Sequence, residues 1–379
     1  MLGADAPPHR DGGLAEQCHA DLPFRTLCLN ANGGGKVCLL DELSHNSATV
    51  FSFNSCGKSG ELPLRSTLWA FAIALCCLGP SAEAAGIQLL DADPSLSGAI
   101  WYPCAAEPTH VALGRLSVGA DFNLQGSKDC PVPGTKLPLV IFSHGRGGWF
   151  GQHHDTVEAL ADAGFIVAAI NHPGDTYGDS SRRDTLSVWG SRPADIVRLL
   201  DFMLNNWKDR AAIDPAKVGF FGFSLGGSTG LVLMGTKMDF ARVASLCRET
   251  TGACAQLHNG ETPPAPIADA RIRTAVIVDP PPTVLTRENL AAVKVPFQFW
   301  RSRFGGPGVG DGSGNARVAD GLPGKPDVHV VPAGHYAFLA PCSPELAAAV
   351  PRICTDAPRR VRPGRISRRV QCGGREVFP

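Results

Sequence analysis

The sequence has no excess of either charge. It carries 35 Lys and Arg against 35 Asp and Glu, and charged residues make up 18% of its 379 residues, below the roughly 25% that is usual in globular proteins. Nothing in this balance indicates a basic surface for nucleic acid or for an anionic membrane. We therefore predict no nucleic-acid partner, and the low charge content also argues against coiled coils and long helical bundles.

The sequence also lacks an apolar run long enough to cross a bilayer. Its longest run, LWAFAIALCCL at 68–78, would reach about 16 Å as a helix, against the roughly 30 Å that a span requires. Arg65 precedes the run and Ala82-Glu83-Ala84 follows it, in the order of a secretory signal peptide. We predict a signal peptide over 65–85, no stable membrane span, and a secreted or periplasmic protein. A buried core helix is the alternative.

The two ends of the chain are predicted to lie outside the folded domain. Residues 1–64 show neither helical nor strand periodicity, which indicates an unstructured extension that precedes the signal peptide and does not belong to the mature protein. Residues 356–379 contain seven Arg and no apolar pattern, which favours a basic disordered tail. The folded domain is thus predicted over 86–355.

Cysteine is abundant, with 13 in the chain, a content more typical of exported than of cytosolic proteins. Six cysteines of the predicted domain fall into three pairs that are close in sequence. We predict disulfides within these pairs, although six cysteines allow fifteen pairings, and free core thiols are the alternative. The pairs are Cys104 with Cys130, Cys247 with Cys254, and Cys342 with Cys354.

Short apolar runs alternate with amphipathic segments through the predicted domain. Runs such as LPLVIF (137–142) and FIVAAI (165–170) are continuous, as in strands that are buried on both faces. The alternation predicts an α/β fold, a mostly parallel sheet flanked by helices. Residues 239–271 interrupt it and predict a small Cys-bearing insertion, either a cap over the substrate site or a surface loop. Further strands are predicted at 99–102, 218–222, 272–278, 295–300 and 328–331, and helices at 154–163, 192–205, 225–234 and 290–293.

A G-x-S-x-G motif, GFSLG, lies at 222–226. An apolar strand is predicted to end at Gly222 and a helix to begin after Ser224, which is the context of a nucleophile elbow. The flanking glycines allow a tight turn without a clash at Cβ. We therefore predict that Ser224 is a nucleophile at a helix N-terminus, where developing negative charge is favoured.

A second glycine-rich segment, HGRGG at 144–148, follows an earlier strand. Its flexible backbone can present an N–H group, predicted to be that of Arg146, beside the N–H of Leu225 as a two-donor oxyanion hole. His144 precedes the serine, whereas nucleophile elbows of this kind are followed by the acid and then the histidine. We therefore interpret His144 as a structural residue.

A base and an acid follow in that order. His335, in AGHYAFL, lies 111 residues after Ser224 and can take the serine proton. Asp279, which ends the strand at 272–278, is the favoured acid. Asp311 is the rival, although its glycine-rich loop is poorly suited to holding a carboxylate still.

A run of potential metal ligands, His153-His154-Asp155, lies in a predicted helix. Adjacent helical residues point about 100° apart, so they rarely share one ion. We predict no metal and no cofactor.

Four motifs in this order, SHGRGG, INHPGDT, GFSLGG and AGHYAFL, resemble bacterial secreted α/β-hydrolases of the predicted dienelactone hydrolase type, which are related to platelet-activating-factor acetylhydrolase. The resemblance covers about 98–355 and implies the α/β-hydrolase fold and serine ester hydrolysis. In the acetylhydrolase branch the acid maps onto Asp279, and the oxyanion donors map onto Arg146 and Leu225. True dienelactone hydrolase has a cysteine nucleophile where this chain has Ser224, so its substrate is not implied.

Together these residues predict a serine carboxylic-ester hydrolase that acts on small or short-chain esters through an acyl-enzyme on a Ser224, Asp279 and His335 triad. The predicted partner is thus a small-molecule ester. A peptidase or an acyltransferase would use the same triad, and a catalytically impaired binding protein of the same fold is the other alternative.

Overall fold

The computed structural model describes residues 27–31, 35–39, 85–91, 93–119, 124–324 and 327–354. The tail predicted at 356–379 lies outside these residues, as does the signal peptide predicted over 65–85, apart from Ala85. Within the extension predicted to be unstructured, strands β1 (Leu27–Ala31) and β2 (Gly35–Leu39) pair as an antiparallel hairpin. These two strands lie within the extension predicted over 1–64.

A ten-stranded sheet forms the centre of the second unit, whose described residues begin at Ala85. The spatial order is β12-β11-β10-β9-β7-β8-β4-β3-β6-β5, and the strands from β12 to β8 all run parallel. The strands are β3 (Gly86–Leu90), β4 (Gly98–Tyr102), β5 (Thr109–Val111), β6 (Leu124–Lys128), β7 (Leu137–Ser143), β8 (Ile166–Ile170), β9 (Ile213–Phe223), β10 (Thr274–Val278), β11 (Phe297–Ser302) and β12 (Asp327–Val331).

Helices cover both faces of this sheet. Alternate residues of β7 point to opposite faces, so Phe142 joins one apolar cluster with helix α1, and Ile141 joins the other with α2 and α3. None of the described helices is both long and apolar enough to span a bilayer. The helices are α1 (His154–Asp162), α2 (Val188–Asn205), α3 (Leu225–Leu233), α4 (Phe240–Leu246), α5 (Gly252–His258), α6 (Arg287–Leu290), α7 (Ser313–Gly321), α8 (Pro344–Ala349) and α9 (Pro351–Cys354).

The predicted insertion at 239–271 contains two short helices, α4 and α5, joined by a Cys247–Cys254 disulfide. The backbone N–H of Ala253 donates to Asp184 O at 2.6 Å, and Gln256 Oε1 accepts from the N–H of Leu186 at 2.8 Å. These contacts hold the insertion against the segment that leads into α2. The other two disulfides, Cys104–Cys130 and Cys342–Cys354, also follow the predicted pairing.

The parallel strands bring the predicted site residues to one edge of the sheet. The carboxyl ends of β7, β9, β10 and β12 lead directly into the segments that carry Arg146, Ser224, Asp279 and His335. In open parallel sheets this edge is where ligands bind.

Candidate active site

Ser224 occupies a sharp turn between β9 and α3. Its φ is 54° and its ψ is −122°, a conformation that costs about 1–3 kcal/mol for a residue with a side chain. The turn is held because the Ser224 N–H donates to Val278 O at 2.8 Å. A Cβ on Gly222 would lie 2.3 Å from Gly226 O, and a Cβ on Gly226 would lie 2.1 Å from Ser143 O. The two glycines of the motif are therefore required by close backbone approach.

His335 lies beside Ser224, in a short 3-10 helix that follows β12 (His335–Phe338). Its Nε2 is 3.0 Å from Ser224 Oγ, and its backbone N–H donates to Gly305 O at 2.7 Å. The imidazole stacks on Phe223, with ring centroids 4.6 Å apart. The ring is thus buried and fixed in orientation next to the serine hydroxyl.

Asp279 follows β10 directly and is fully buried. Its Oδ2 is 2.7 Å from His335 Nδ1 and accepts from Ser302 Oγ at 2.6 Å. Its Oδ1 accepts from the Ser302 N–H at 3.1 Å and from Asn315 Nδ2 at 2.9 Å. Burial acts to raise the pKa of Asp279, but the hydrogen bonds from His335 and Ser302 outweigh it and hold the pKa below the usual value of 3.8. The carboxylate is therefore ionised at neutral pH.

Asp311, the rival acid, is exposed and occupied elsewhere. It accepts from the backbone N–H and from the Oγ of Ser313, at 3.0 and 2.6 Å, at the start of α7. The structure places His335 against Asp279 instead.

Sequence reasoning missed the two residues that hold the Asp279 carboxylate, Ser302 and Asn315. Ser302 ends β11, the strand next to β10, so its position at the carboxyl edge was a usable signal. Asn315 lies in α7, within a stretch where glycines at 305–314 favoured a loop. No local motif identifies it.

Arg146 and Leu225, whose backbone N–H groups are the predicted oxyanion donors, both line the cavity that contains Ser224. These two N–H groups have no acceptor among the residues that the structure describes. They are the pair predicted as an oxyanion hole.

His144, interpreted as structural, is buried. Its Nδ1 lies 2.7 Å from Gly145 O, and its Nε2 accepts from the backbone N–H of His172 at 3.2 Å.

A cavity of about 800 Å³ opens over Ser224 and His335. Trp189, Phe223 and Tyr336 line it with apolar surface, and an ion pair between Arg146 and Asp184 lies among its exposed polar groups. The insertion contributes residues 251–254 to the wall. The insertion was predicted to be either a cap over the substrate site or a surface loop, and its place in the cavity wall favours the cap.

Two groups of potential metal ligands lie elsewhere. His153 Nδ1 is 3.1 Å from Phe338 O, and His154 pairs with Glu158, so these neighbours point to different partners. Cys247, Glu249 and Cys254 lie close together, but their two sulfurs form a disulfide and are not the thiolates that metals bind.

Acid should destabilise this fold steeply, because three histidines are buried in neutral form. Burial lowers the pKa of His153 to about 3 and the pKa values of His144 and His172 well below 6.5. Below pH 6.5 the unfolded chain therefore binds up to three protons that the folded chain does not. Asp195 acts in the opposite sense, because burial raises its pKa to about 6 and the folded chain keeps that proton above pH 4.

The excess of protons bound by the unfolded chain predicts that the free energy of unfolding falls as the pH drops below about 6.5, by about 1.4 kcal/mol per pH unit for each such proton. Urea unfolding at several pH values measures this slope. His153→Gln removes the group whose pKa is about 3 and should make the slope shallower by about 1.4 kcal/mol per pH unit. A stability that stays constant over this range would contradict the prediction.

One comparison with known proteins, a match to a family model, agrees with this architecture. A family model described as the alpha/beta hydrolase fold matches residues 138–309, a span that contains Ser224 and Asp279 and ends before His335. Among solved structures, a ferulic acid esterase from Streptomyces cinnamoneus is similar, with 19% sequence identity and a TM-score of 0.46 over 76% of this chain and 82% of that chain. No sequence among the curated proteins matches.

Proposed function

We propose that this chain, which has the α/β-hydrolase fold predicted from its sequence, is a serine carboxylic-ester hydrolase. The observation that carries the proposal is the hydrogen-bonded series from Ser224 Oγ to His335, at 3.0 Å, and from His335 to Asp279, at 2.7 Å. A nucleophile, a base within hydrogen-bond reach and a third group that orients the base are the requirements of covalent acyl transfer.

In the proposed reaction Ser224 Oγ attacks the ester carbonyl while His335 Nε2 takes its proton. The N–H groups of Arg146 and Leu225 stabilise the oxyanion of the tetrahedral intermediate. His335 then gives the proton to the departing alcohol, which leaves an acyl-enzyme, and it next activates water to release the acid. Asp279 stays ionised throughout and stabilises the imidazolium.

The cavity supports small or short-chain esters as the substrate class. Its volume of about 800 Å³ is that of a small-molecule site. Apolar side chains stand close to Ser224, whereas the charged pair Arg146–Asp184 is exposed. We propose that the acyl group lies against the apolar wall and that the alcohol faces solvent.

Ester hydrolysis with p-nitrophenyl acetate and butyrate tests the proposal, together with a fluorophosphonate probe read out by intact mass. We expect turnover of both esters and a single adduct on the wild-type protein. Absence of both turnover and adduct would instead favour a non-catalytic binding protein. An anilide of the same acyl group separates an esterase from a peptidase.

We also propose that the chain is of the secreted dienelactone hydrolase type related to the acetylhydrolase, since the acid follows β10 as in that branch. The first strand of the ten-stranded sheet, β3, begins at Gly86 with Ile87 fully buried, so cleavage after Ala84 would leave this sheet intact. We expect the mature N-terminus near Ala85 or Gly86, and N-terminal sequencing of the exported protein measures it. Recovery of residues 1–10 from the active protein would contradict export.

A further inference from the structure

A buried arginine lies directly behind the segment that carries the Arg146 N–H. Arg192, in the second turn of α2, is 1% exposed and uses all three guanidinium nitrogens. Its Nη1 donates to Asp175 Oδ2 at 2.6 Å, and its Nε donates to Thr229 Oγ1 at 3.3 Å. Its Nη2 donates to Ser143 Oγ at 3.2 Å and to the carbonyl oxygen of His144. The side chain therefore links β7, α2 and α3.

One side of the guanidinium holds the loop at 144–148. The contact with the His144 carbonyl fixes the start of the loop. Asp175, held by Arg192 through Oδ2, accepts the Gly147 N–H on Oδ1 at 2.8 Å. Arg146 lies between these two hydrogen-bonded points, which restricts the movement of the backbone that carries its N–H.

The other side of the guanidinium holds the start of α3. Thr229 accepts from Arg192 and donates from Oγ1 to the carbonyl oxygen of Leu225 at 3.0 Å. Leu225 is the first residue of α3 and carries the second N–H of the predicted pair. The Arg192 guanidinium is thus linked by hydrogen bonds to the 144–148 loop and, through Thr229, to the carbonyl of Leu225.

Burial of the Arg192–Asp175 ion pair costs desolvation free energy, and this cost indicates a role other than stabilising the fold. Burying an ion pair rarely stabilises a fold more than apolar residues of the same volume would. An apolar side chain at position 192 would leave the distance between the two N–H groups to the flexibility of a glycine-rich loop. Arginine is suited to the task because its planar fork donates in several fixed directions, which the compact lysine ammonium cannot do.

We propose that Arg192, acting through Asp175 and Thr229, is a positioning residue that sets the spacing of the Arg146 and Leu225 N–H groups for the oxyanion. The inference rests on the proposed function, because it assigns those two groups to an oxyanion hole. A backbone N–H group is not removed when the side chain of its residue is substituted. The side chains that hold the two N–H groups in position can be substituted, and they therefore offer the test.

The test uses Arg192→Lys, which keeps the charge beside Asp175 but cannot make all of these contacts. Deleting an oxyanion donor costs about 10²–10³-fold in kcat, and for displacement we expect roughly 10–100-fold with KM for p-nitrophenyl butyrate changed by less than about 3-fold. A trifluoromethyl ketone adds to Ser224 Oγ as a hemiketal whose oxygen occupies the hole, with the serine proton passing to His335. Its affinity should fall by the same factor as kcat/KM.

The control is Arg271→Lys. Arg271 pairs with Asp269 and Asp201 ahead of β10, at the opposite edge of the sheet, and its loss should leave kcat and ketone affinity unchanged.

If Arg192→Lys does not fold, Thr229→Val breaks only the link to α3 and should lower kcat about 3–10-fold, again in proportion to ketone affinity. For a folded variant, unchanged kcat overturns the inference, as does a fall in kcat without a matching loss of ketone affinity. Failure of the wild-type protein to take a fluorophosphonate on Ser224 would overturn the proposed function and the inference together.

Discussion

Replacing Ser224 with alanine is expected to lower the rate of ester hydrolysis by about 10⁴–10⁶-fold, to the level that the oxyanion donors and substrate binding supply alone. The variant loses Oγ, the only atom of Ser224 that can bond to the acyl carbon, while His335 keeps its place between Phe223 and Asp279. The fold should remain intact, since alanine accepts the same strained turn at a comparable cost. Hydrolysis of p-nitrophenyl butyrate and fluorophosphonate mass labelling measure both effects.

The sequence offers a matched control for this variant. Ser228 is fully buried, and its Oγ has no hydrogen-bond partner among the described residues. Ser228→Ala removes the corresponding hydroxyl oxygen from a serine in the first turn of α3 and should leave the rate and the adduct essentially unchanged. An adduct that persists in Ser224→Ala would place the nucleophile elsewhere.

Replacing Asp279 with asparagine is expected to lower kcat by about 10³–10⁴-fold. The reason lies in the donors around the carboxylate. The Ser302 N–H and Asn315 Nδ2 both donate to Oδ1, so the amide oxygen of the new side chain takes that position and its NH₂ group faces His335. His335 must then accept at Nδ1 and carry its proton on Nε2, where it cannot take the proton of Ser224.

Asp311→Asn is the comparison for this prediction. Asp311 is exposed and bonds to Ser313 at the start of α7, so its amide should change the rate by less than about 2-fold. Steady-state kinetics of the two variants, with unfolding curves to verify the fold, decide between the acids. A large loss of kcat in Asp311→Asn, together with a nearly unchanged kcat in Asp279→Asn, would assign the role of the acid to Asp311 instead.

The sequence predicts the three triad residues and the strands that carry them better than it predicts the residues that hold the triad in place. Continuous apolar runs identify β7, β9 and β10, and parallel strands end at one edge of the sheet, so Ser224, Asp279 and His335 could be assigned without coordinates. Strand β6, LQGSK, lies next to the edge strand β5 and has too little apolar pattern to be recognised. Helix α7 was hidden by the glycines ahead of it.

The supporting residues could not be predicted because their roles depend on contacts between distant segments. From the local sequence, Arg192 is one polar position in an amphipathic helix, and Asp175 is part of a polar loop. Only packing places both behind the 144–148 segment, 28 and 48 residues away along the chain. Burial, which a sequence pattern shows for apolar residues, is not visible for a charged one.

The strand order also determines when the site is complete during synthesis. Ser224 and Asp279 directly follow β9 and β10, which lie inside the sheet, but His335 follows β12, which forms the edge and pairs on one side with β11. A chain that has emerged only as far as β11 can form the turn at Ser224, yet it carries no base. Because domains are made from the N-terminus onward, the hydroxyl stays a weak nucleophile until nearly the whole domain has been translated. In the proposed mechanism, β12 is therefore the last strand of the sheet to be translated, and the base becomes available only after it.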